Sequence, residues 1–254
     1  MELSKEQLEP VAAWKALRRY TNARIALGRV GASLLTKDVL DFRLAHARAR
    51  DAVHIPLNTA ALEQQLQDAG YRTICVRSRV TDRAQYLQRP DLGRQLDPGS
   101  RERLHCDPVP ARLTVVVADG LSSLASSRHA LPLLNELRAR LTGWELDPVV
   151  IAVEARVALG DEIGELRGAE AVVVLLGERP GLSSPDSLGA YMTYAPRHGR
   201  SDAERNCVSN IRIDGLSYEE AAYRIAYLLN QARLQGCSGI TVKDVSVWTP
   251  MAIE

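Results

Sequence analysis

Leu113-Thr-Val-Val-Val-Ala118 runs directly into Asp119-Gly120, and Ala171-Val-Val-Val-Leu-Leu176 runs directly into Gly177-Glu178. Each run is nearly all apolar and rich in β-branched side chains. An alternating pattern would mark a strand with one solvated face. A continuous one marks a strand covered on both faces. Pro148 to Val153 is a third run of this kind. Helical patterns separate and follow the runs: about Ser126 to Leu141, a short piece closed by Gly164 to Gly168, and Tyr218 to Gln235 with Ala221, Ala222, Ile225, Ala226, Leu228 and Leu229 on one side. Strand, turn and helix in alternation predict an α/β fold, an open, mainly parallel sheet with helices on both faces (Rossmann-like). Ligands on such sheets bind outside the carboxyl ends of the strands. Here those ends carry Asp119-Gly120, Val153-Glu154 through Val157, and Gly177-Glu178-Arg179.

Outward from this centre the pattern weakens. Ala190 to Ala195 reads as a fourth strand, Ile240 to Val242 as a last short one, and Arg72 to Arg77 alternates like a strand. Towards the N-terminus the chain reads as helical. A short helix spans 1–20, Gly28 and Gly31 make a loop, and Thr36 is placed as the N-cap of a helix ending in His46, Arg48 and Arg50. A further helix, Ala60 to Asp68, is stopped by Gly70. The expected organisation is an N-terminal helical segment over 1–20 and a helical and basic region that contacts a partner over 21–112. An α/β ligand-binding domain over 113–243 and a tail over 244–254 follow.

Composition excludes several classes. The 254 residues are 46% apolar and 25% charged, as in an ordinary globular protein. The formal net charge of +1 argues against binding nucleic acid or a membrane surface through bulk charge. The balance conceals an asymmetry, a net of +5 over residues 21–112 and of −5 over 113–254. No apolar stretch approaches the ~18–20 residues of a spanning helix. Met1 to Pro10, with Glu2, Glu6 and Glu9, does not read as a secretory signal. Cys75, Cys106, Cys207 and Cys237 form no C-x-x-C pair or Cys/His cluster, so neither zinc nor a disulfide framework is expected and the compartment reads as the reducing cytoplasm.

Catalytic motifs are incomplete. Gly28-x-x-Gly31 lacks the third glycine of a dinucleotide fingerprint and follows no strand. Gly120-Leu-Ser-Ser123 lies where a nucleophile elbow would, but Leu124 replaces the second glycine of G-x-S-x-G, so Ser122 reads as a helix cap or a polar contact. The five histidines are scattered. Gly177-Glu-Arg-Pro-Gly-Leu-Ser-Ser-Pro-Asp186 is a stiffened polar loop directly after the most apolar strand, and so a binding loop. Glu178 is an acceptor for amides or hydroxyls. Arg179 is either a phosphate ligand or the partner of Asp186 or Glu204. Ala203-Glu-Arg-Asn-Cys-Val-Ser-Asn210 is a second polar knot. In it Cys207 is either a small buried residue or a thiol whose pKa Arg205 lowers.

Seven stretches, in order from about residue 21 to residue 240, resemble the small (light) subunit of ethanolamine ammonia-lyase. They are Ala23-Arg-Ile-Ala-Leu-Gly-Arg29 with Gly31, Arg48-Ala-Arg-Asp-Ala-Val-His54, Tyr86-Leu-Gln-Arg-Pro-Asp-Leu-Gly-Arg94, Asp119-Gly-Leu-Ser122, Gly177-Glu-Arg-Pro-Gly-Leu182, Tyr194-Ala-Pro-Arg197 and Arg205-Asn-Cys-Val-Ser-Asn-Ile211. The resemblance implies a lyase that converts ethanolamine to acetaldehyde and ammonia by an adenosylcobalamin-dependent radical route. A large subunit holds the substrate, and the small subunit encloses the cobalamin from its lower side. It implies cofactor contacts at Val157, Glu178 and Cys207, a cofactor base that stays on cobalt, no catalytic residue or protein metal ligand in this chain, and no activity of the chain alone. It places the protein in the cytoplasm, with a protein-shelled bacterial microcompartment as an alternative. The rival expectation is a non-catalytic α/β protein whose same loops hold a nucleotide or phosphorylated metabolite.

Overall fold

The computed structural model describes residues 12–107, 109 and 111–249. The expected helix over 1–20 is seen from α1 (Ala12–Leu17), and its earlier residues lie outside the described ones. Strands β1 (Arg29–Val30) and β2 (Ser33–Leu34) pair as a small hairpin where a loop is expected. Helix α2 (Thr36–His54) follows, with Leu35 at its N-cap and no side-chain cap, so Thr36 is the first helical residue and not the cap. Helix α3 (Thr59–Asp68) is capped by Asn58 Oδ1, which accepts from the Ala61 amide at 3.1 Å.

A seven-stranded sheet is the centre of the molecule. Its strands are β3 (Thr73–Arg77), β4 (Arg112–Ala118), β5 (Glu145–Leu146), β6 (Val149–Val153), β7 (Ala171–Gly177), β8 (Leu188–Tyr194) and β9 (Asn206–Ile211). The spatial order is β3-β6-β4-β7-β8-β9, with β5 on β4. The strands β3, β6, β4 and β7 are parallel, whereas β8 runs antiparallel to β7 and β9 antiparallel to β8. The continuous apolar runs are the central strands: every residue of β4 and β7 is buried.

Helices cover both faces. On one, α3, α6 (Ser123–Arg138) and α8 (Tyr218–Gln235) pack Leu66, Leu133, Leu137, Ile225 and Leu229 against Val115, Val117, Val173 and Leu175. On the other, α5 (Pro98–Leu104) and α7 (Leu159–Leu166) pack Leu104, Leu159 and Ile163 against Val116, Val150, Val172 and Val174. A short helix α4 (Arg83–Gln88) stands at the carboxyl end of β3. Beyond β7, Tyr191 of β8 and Cys207 of β9 lie opposite each other in the ladder, Tyr191 half-buried against the second-face core and Cys207 exposed. This part of the sheet positions the candidate site.

The expected strand at Ile240–Val242 is a turn, and β9 takes the outermost place on the ladder. Among the described residues no helix is long and apolar enough to cross a membrane.

Candidate functional site

The chain leaves β4 for α6 on one face and β6 for α7 on the other, so a crevice opens between the carboxyl ends of these neighbouring strands. In open α/β sheets such a point receives the ligand. Here the chain's own side chains fill it. Arg83 reaches in from α4, with Nη1 at 3.0 Å from Glu154 Oε2 and 3.8 Å from Asp119 Oδ2. Asp119 accepts from the amides of Glu154, Ala155 and Gly120 at 2.8, 3.1 and 3.0 Å. Glu154 is held in the left-handed region at φ +51, where a non-glycine residue is rare. Burial, and then the Glu154 charge, push the Asp119 carboxyl up to about 6. The crevice thus holds an Arg83–Glu154–Asp119 ion cluster, in which Arg83 Nη2 is buried without a hydrogen-bond partner among the described residues.

Of the three expected cofactor contacts, Glu178 and Cys207 are neighbours, close enough for the carboxylate charge to act on the thiol, and Val157 lies between β6 and α7. Val157, half-buried, packs against the second-face core just before α7, as does Tyr191 of β8. Cys207 on β9 lies opposite Tyr191 in the ladder and is exposed. Glu178 folds back from the end of β7 over β8. Its amide donates to Ser187 O at 2.9 Å, and its Oε2 accepts from Ser187 Oγ and, at 3.4 Å, from the Asn210 amide. Asn210 reaches it through a bulge: Val208 to Ile211 on β9 faces only Ala190 to Leu188 on β8, and Asn210 takes φ +61.

Glycines allow this packing. A Cβ on Gly189 would stand 3.0 Å from Glu178 Oε1 and 3.1 Å from Tyr191 Cε2. A Cβ on Gly177 would stand 1.9 Å from Ser122 O, so the carboxyl end of β7 lies directly on the start of α6. Ser122 acts as the expected helix cap, its Oγ accepting from the Ala125 amide at 3.4 Å, and it also donates to Pro185 O at 2.8 Å.

The electrostatics correct one expectation. Arg205 does not lower the Cys207 thiol, because its guanidinium is buried on Asp161, 2.7 Å from each carboxylate oxygen. Although Cys207 is exposed as a residue, desolvation of its sulfur on the side of Tyr191, and then the Glu178 charge, push the thiol up to about 11. Asp186 and Glu204 are paired with Arg128 and Arg200, which leaves Arg179 exposed and bound to neither. A groove of about 450 Å³ runs along Cys207, Ser209, Asn210 and Arg224. A larger one, about 730 Å³, lies at the far end of α7 between Arg101, His105 and His198 and includes none of the expected contacts. Among the described residues no group of His, Cys, Asp or Glu is placed to hold a metal.

Val157, Cys207, Tyr191 and Glu178 supply an apolar contact, a polarisable sulfur, a phenol and a carboxylate. Those types fit the flat apolar face and amide rim of a corrinoid. Sequence reasoning missed Tyr191 and Gly189, and it placed Asn210 in a polar knot without giving it a role. Their only advance signal was the alternation of β8 and β9, masked in β9 by its polar residues.

Comparison with known proteins agrees with the sequence resemblance. The family profile described as "Ethanolamine ammonia-lyase light chain (EutC)" matches residues 11–243. An ethanolamine ammonia-lyase small subunit of Pseudomonas syringae pv. tomato is 53% identical over 246 residues, covering 94% of this chain and 86% of that protein. The protein of the same description from Xanthomonas campestris pv. campestris is 52% identical over 248 residues, 95% of this chain and 91% of the relative. That from Ralstonia nicotianae is 52% identical over 239 residues, 92% and 88%. On a profile match across nearly the whole chain and identities above half, the chain belongs to the ethanolamine ammonia-lyase light chain family, the small subunit of a cobalamin-dependent ammonia-lyase.

Proposed function

We propose that this chain forms one wall of the adenosylcobalamin site of ethanolamine ammonia-lyase, with Val157, Glu178 and Cys207 against the cofactor and the large subunit holding ethanolamine. The observation that supports the reading is the Glu178–Cys207 pair beside Tyr191, which like Val157 packs on the second-face core. Val157 packs on the corrin surface and excludes water from it. The Glu178 carboxylate accepts from amide or ribose donors, already oriented by Ser187 and the Asn210 amide. Cys207 provides a soft contact, and its raised pKa keeps it a neutral thiol. Adenosylcobalamin, when bound, would supply the radical that opens the reaction. This chain orients and shields it and transfers no proton to substrate, so the chain alone is inactive.

The same reading assigns the N-terminal arm to the large subunit. Helix α2 is 19 residues long yet buries only Ala52 within this chain. Leu40, Phe42 and Leu44 are exposed on it, and Trp14, Tyr20, Val30 and Leu34 are exposed around it. So many large apolar side chains exposed on a segment that buries so little are unusual for a protein that works as a monomer. The basic character of residues 21–112 adds a charge complement for an acidic partner surface. The site of action is the cytoplasm or a microcompartment within it.

The test is co-expression with the large subunit, followed by cobalamin titration and an acetaldehyde assay. Glu178→Ala is expected to weaken cofactor binding to the complex by ~1–3 kcal/mol, the cost of leaving buried donors unpaired. An unchanged dissociation constant removes Glu178 from the site, and turnover by this chain alone overturns the division of labour.

A further inference from the structure

A buried histidine outside the expected contacts is connected to the cofactor loop. His129, on α6, is 2% exposed. Its Nδ1 lies 2.8 Å from Tyr218 Oη at the start of α8. Its Nε2 has no hydrogen-bond partner among the described residues and faces Asp186 Oδ2 at 3.5 Å. A carboxylate only accepts, so the consistent tautomer carries its proton on Nε2, towards Asp186, and Nδ1 accepts from the Tyr218 hydroxyl. Burial lowers the His129 pKa, which favours this neutral form.

Asp186 stands at the far end of the Glu178 loop. The next residue, Ser187, donates its hydroxyl to Glu178 Oε2 and accepts the Glu178 amide at 2.9 Å. The neighbouring Pro185 carbonyl is held by Ser122. The other partner of Asp186 is Arg128, whose side chain is 57% exposed and therefore a loose anchor. A move of Asp186 carries Ser187 with it, and with Ser187 goes the orientation of the Glu178 carboxylate.

We infer that His129, fixed by Tyr218, is a positioning residue for the cobalamin loop. Through Asp186 it holds Ser187, and so Glu178, in the geometry that receives the cofactor. The inference rests on the assignment of Glu178 to the cofactor wall. A histidine that only filled the core would be replaceable by any side chain of similar volume. One that positions Asp186 needs a donor where Nε2 stands.

The test uses the complex with the large subunit. The affinity for adenosylcobalamin is read by absorbance titration without ethanolamine, and hydrogen exchange is read on the loop amides 181–187 without cofactor. His129→Asn, which keeps a polar atom near Nδ1 and none near Nε2, removes the Nε2 contact with the Asp186 carboxylate and is expected to raise Kd about tenfold. It is also expected to speed loop exchange. His129→Gln, whose amide reaches the Nε2 position, is expected to restore Kd to within about threefold, under ~1 kcal/mol. Tyr218→Phe deletes one hydroxyl, leaves the fold intact and is expected to fall between. In turnover, the KM for adenosylcobalamin rises more than that for ethanolamine. Glu178→Ala, run in parallel, separates two failures. If it leaves Kd unchanged, the cofactor wall is misassigned. If it raises Kd while the Asn and Gln variants behave alike, or while Tyr218→Phe keeps native Kd and loop exchange, His129 has no positioning role.

Discussion

Cys207 shows how far a residue's neighbours in sequence mislead about its chemistry. Arg205 is two positions away, on the same side of β9, yet it spends its charge on Asp161 in the interior. What acts on Cys207 is desolvation of its sulfur and the Glu178 carboxylate, and both disfavour thiolate. With the pKa raised to about 11, the thiol remains protonated below that pH. Alkylation of Cys207 by iodoacetamide is therefore expected to be slow at pH 8 and to climb as pH approaches 11, followed by peptide mass spectrometry across a pH series. A plateau reached by pH 9 contradicts the structure. In the same spirit, Cys207→Ser is expected to keep most cofactor affinity, since the contact proposed for it is packing and needs no redox chemistry.

At the scale of elements, two joints hold the site. The first is the glycine contact between β7 and α6. Because a Cβ on Gly177 meets Ser122 O at 1.9 Å, Gly177→Ala must push the two elements apart. The expected cost is ~2–4 kcal/mol, as for other substitutions that overpack a buried joint. It is read as a fall in the urea midpoint, and the complex that survives should bind cobalamin more weakly. The second joint is the Asp161–Arg205 pair, 2% and 3% exposed, which ties α7 to the start of β9. Arg205→Met strands a buried carboxylate and is expected to cost ~3–5 kcal/mol, whereas Asp161→Leu combined with Arg205→Met should cost much less. Equal losses in the single and double variants argue against a buried pair.

At the scale of the whole molecule, the sheet domain is complete and the arm is not. The sheet's strands and helices bury one another on two faces, but α2 has almost nothing beneath it. Leu40→Asp with Leu44→Asp is expected to leave the thermal midpoint of this chain within about 2 °C, since surface changes seldom exceed ~0.5 kcal/mol. The same pair is expected to abolish copurification with the large subunit. Retained copurification moves the interface elsewhere. The charge asymmetry belongs at this scale as well: the basic residues include the unpartnered arm, and the acidic ones are mostly in the sheet domain.

The parallel core strands, the helices between them and the loops after β4, β6 and β7 were legible in the sequence. A strand buried on both faces must be apolar at every position, and that local pattern survives any tertiary arrangement. Glu178 and Cys207 were legible as polar knots, and with Val157 they were carried as cofactor contacts by the family resemblance. Strand β9 was not legible, because an edge strand tolerates Asn206, Ser209 and Asn210 and its pairing with β8 is a long-range choice. Ile240–Val242 carried the stronger strand pattern, yet Asn206 Nδ2 fastens it as a turn through Gly239 O and Val242 O. The filling of the switch-point crevice, and the string from Tyr218 through His129 to Asp186, join residues 71 and 89 positions apart. Such contacts leave no periodicity in a sequence. Composition and spacing determined which strands are central and where ligand loops arise. Only the tertiary structure decided which carboxyl end stays open, because that depends on which side chains from distant segments reach the crevice first.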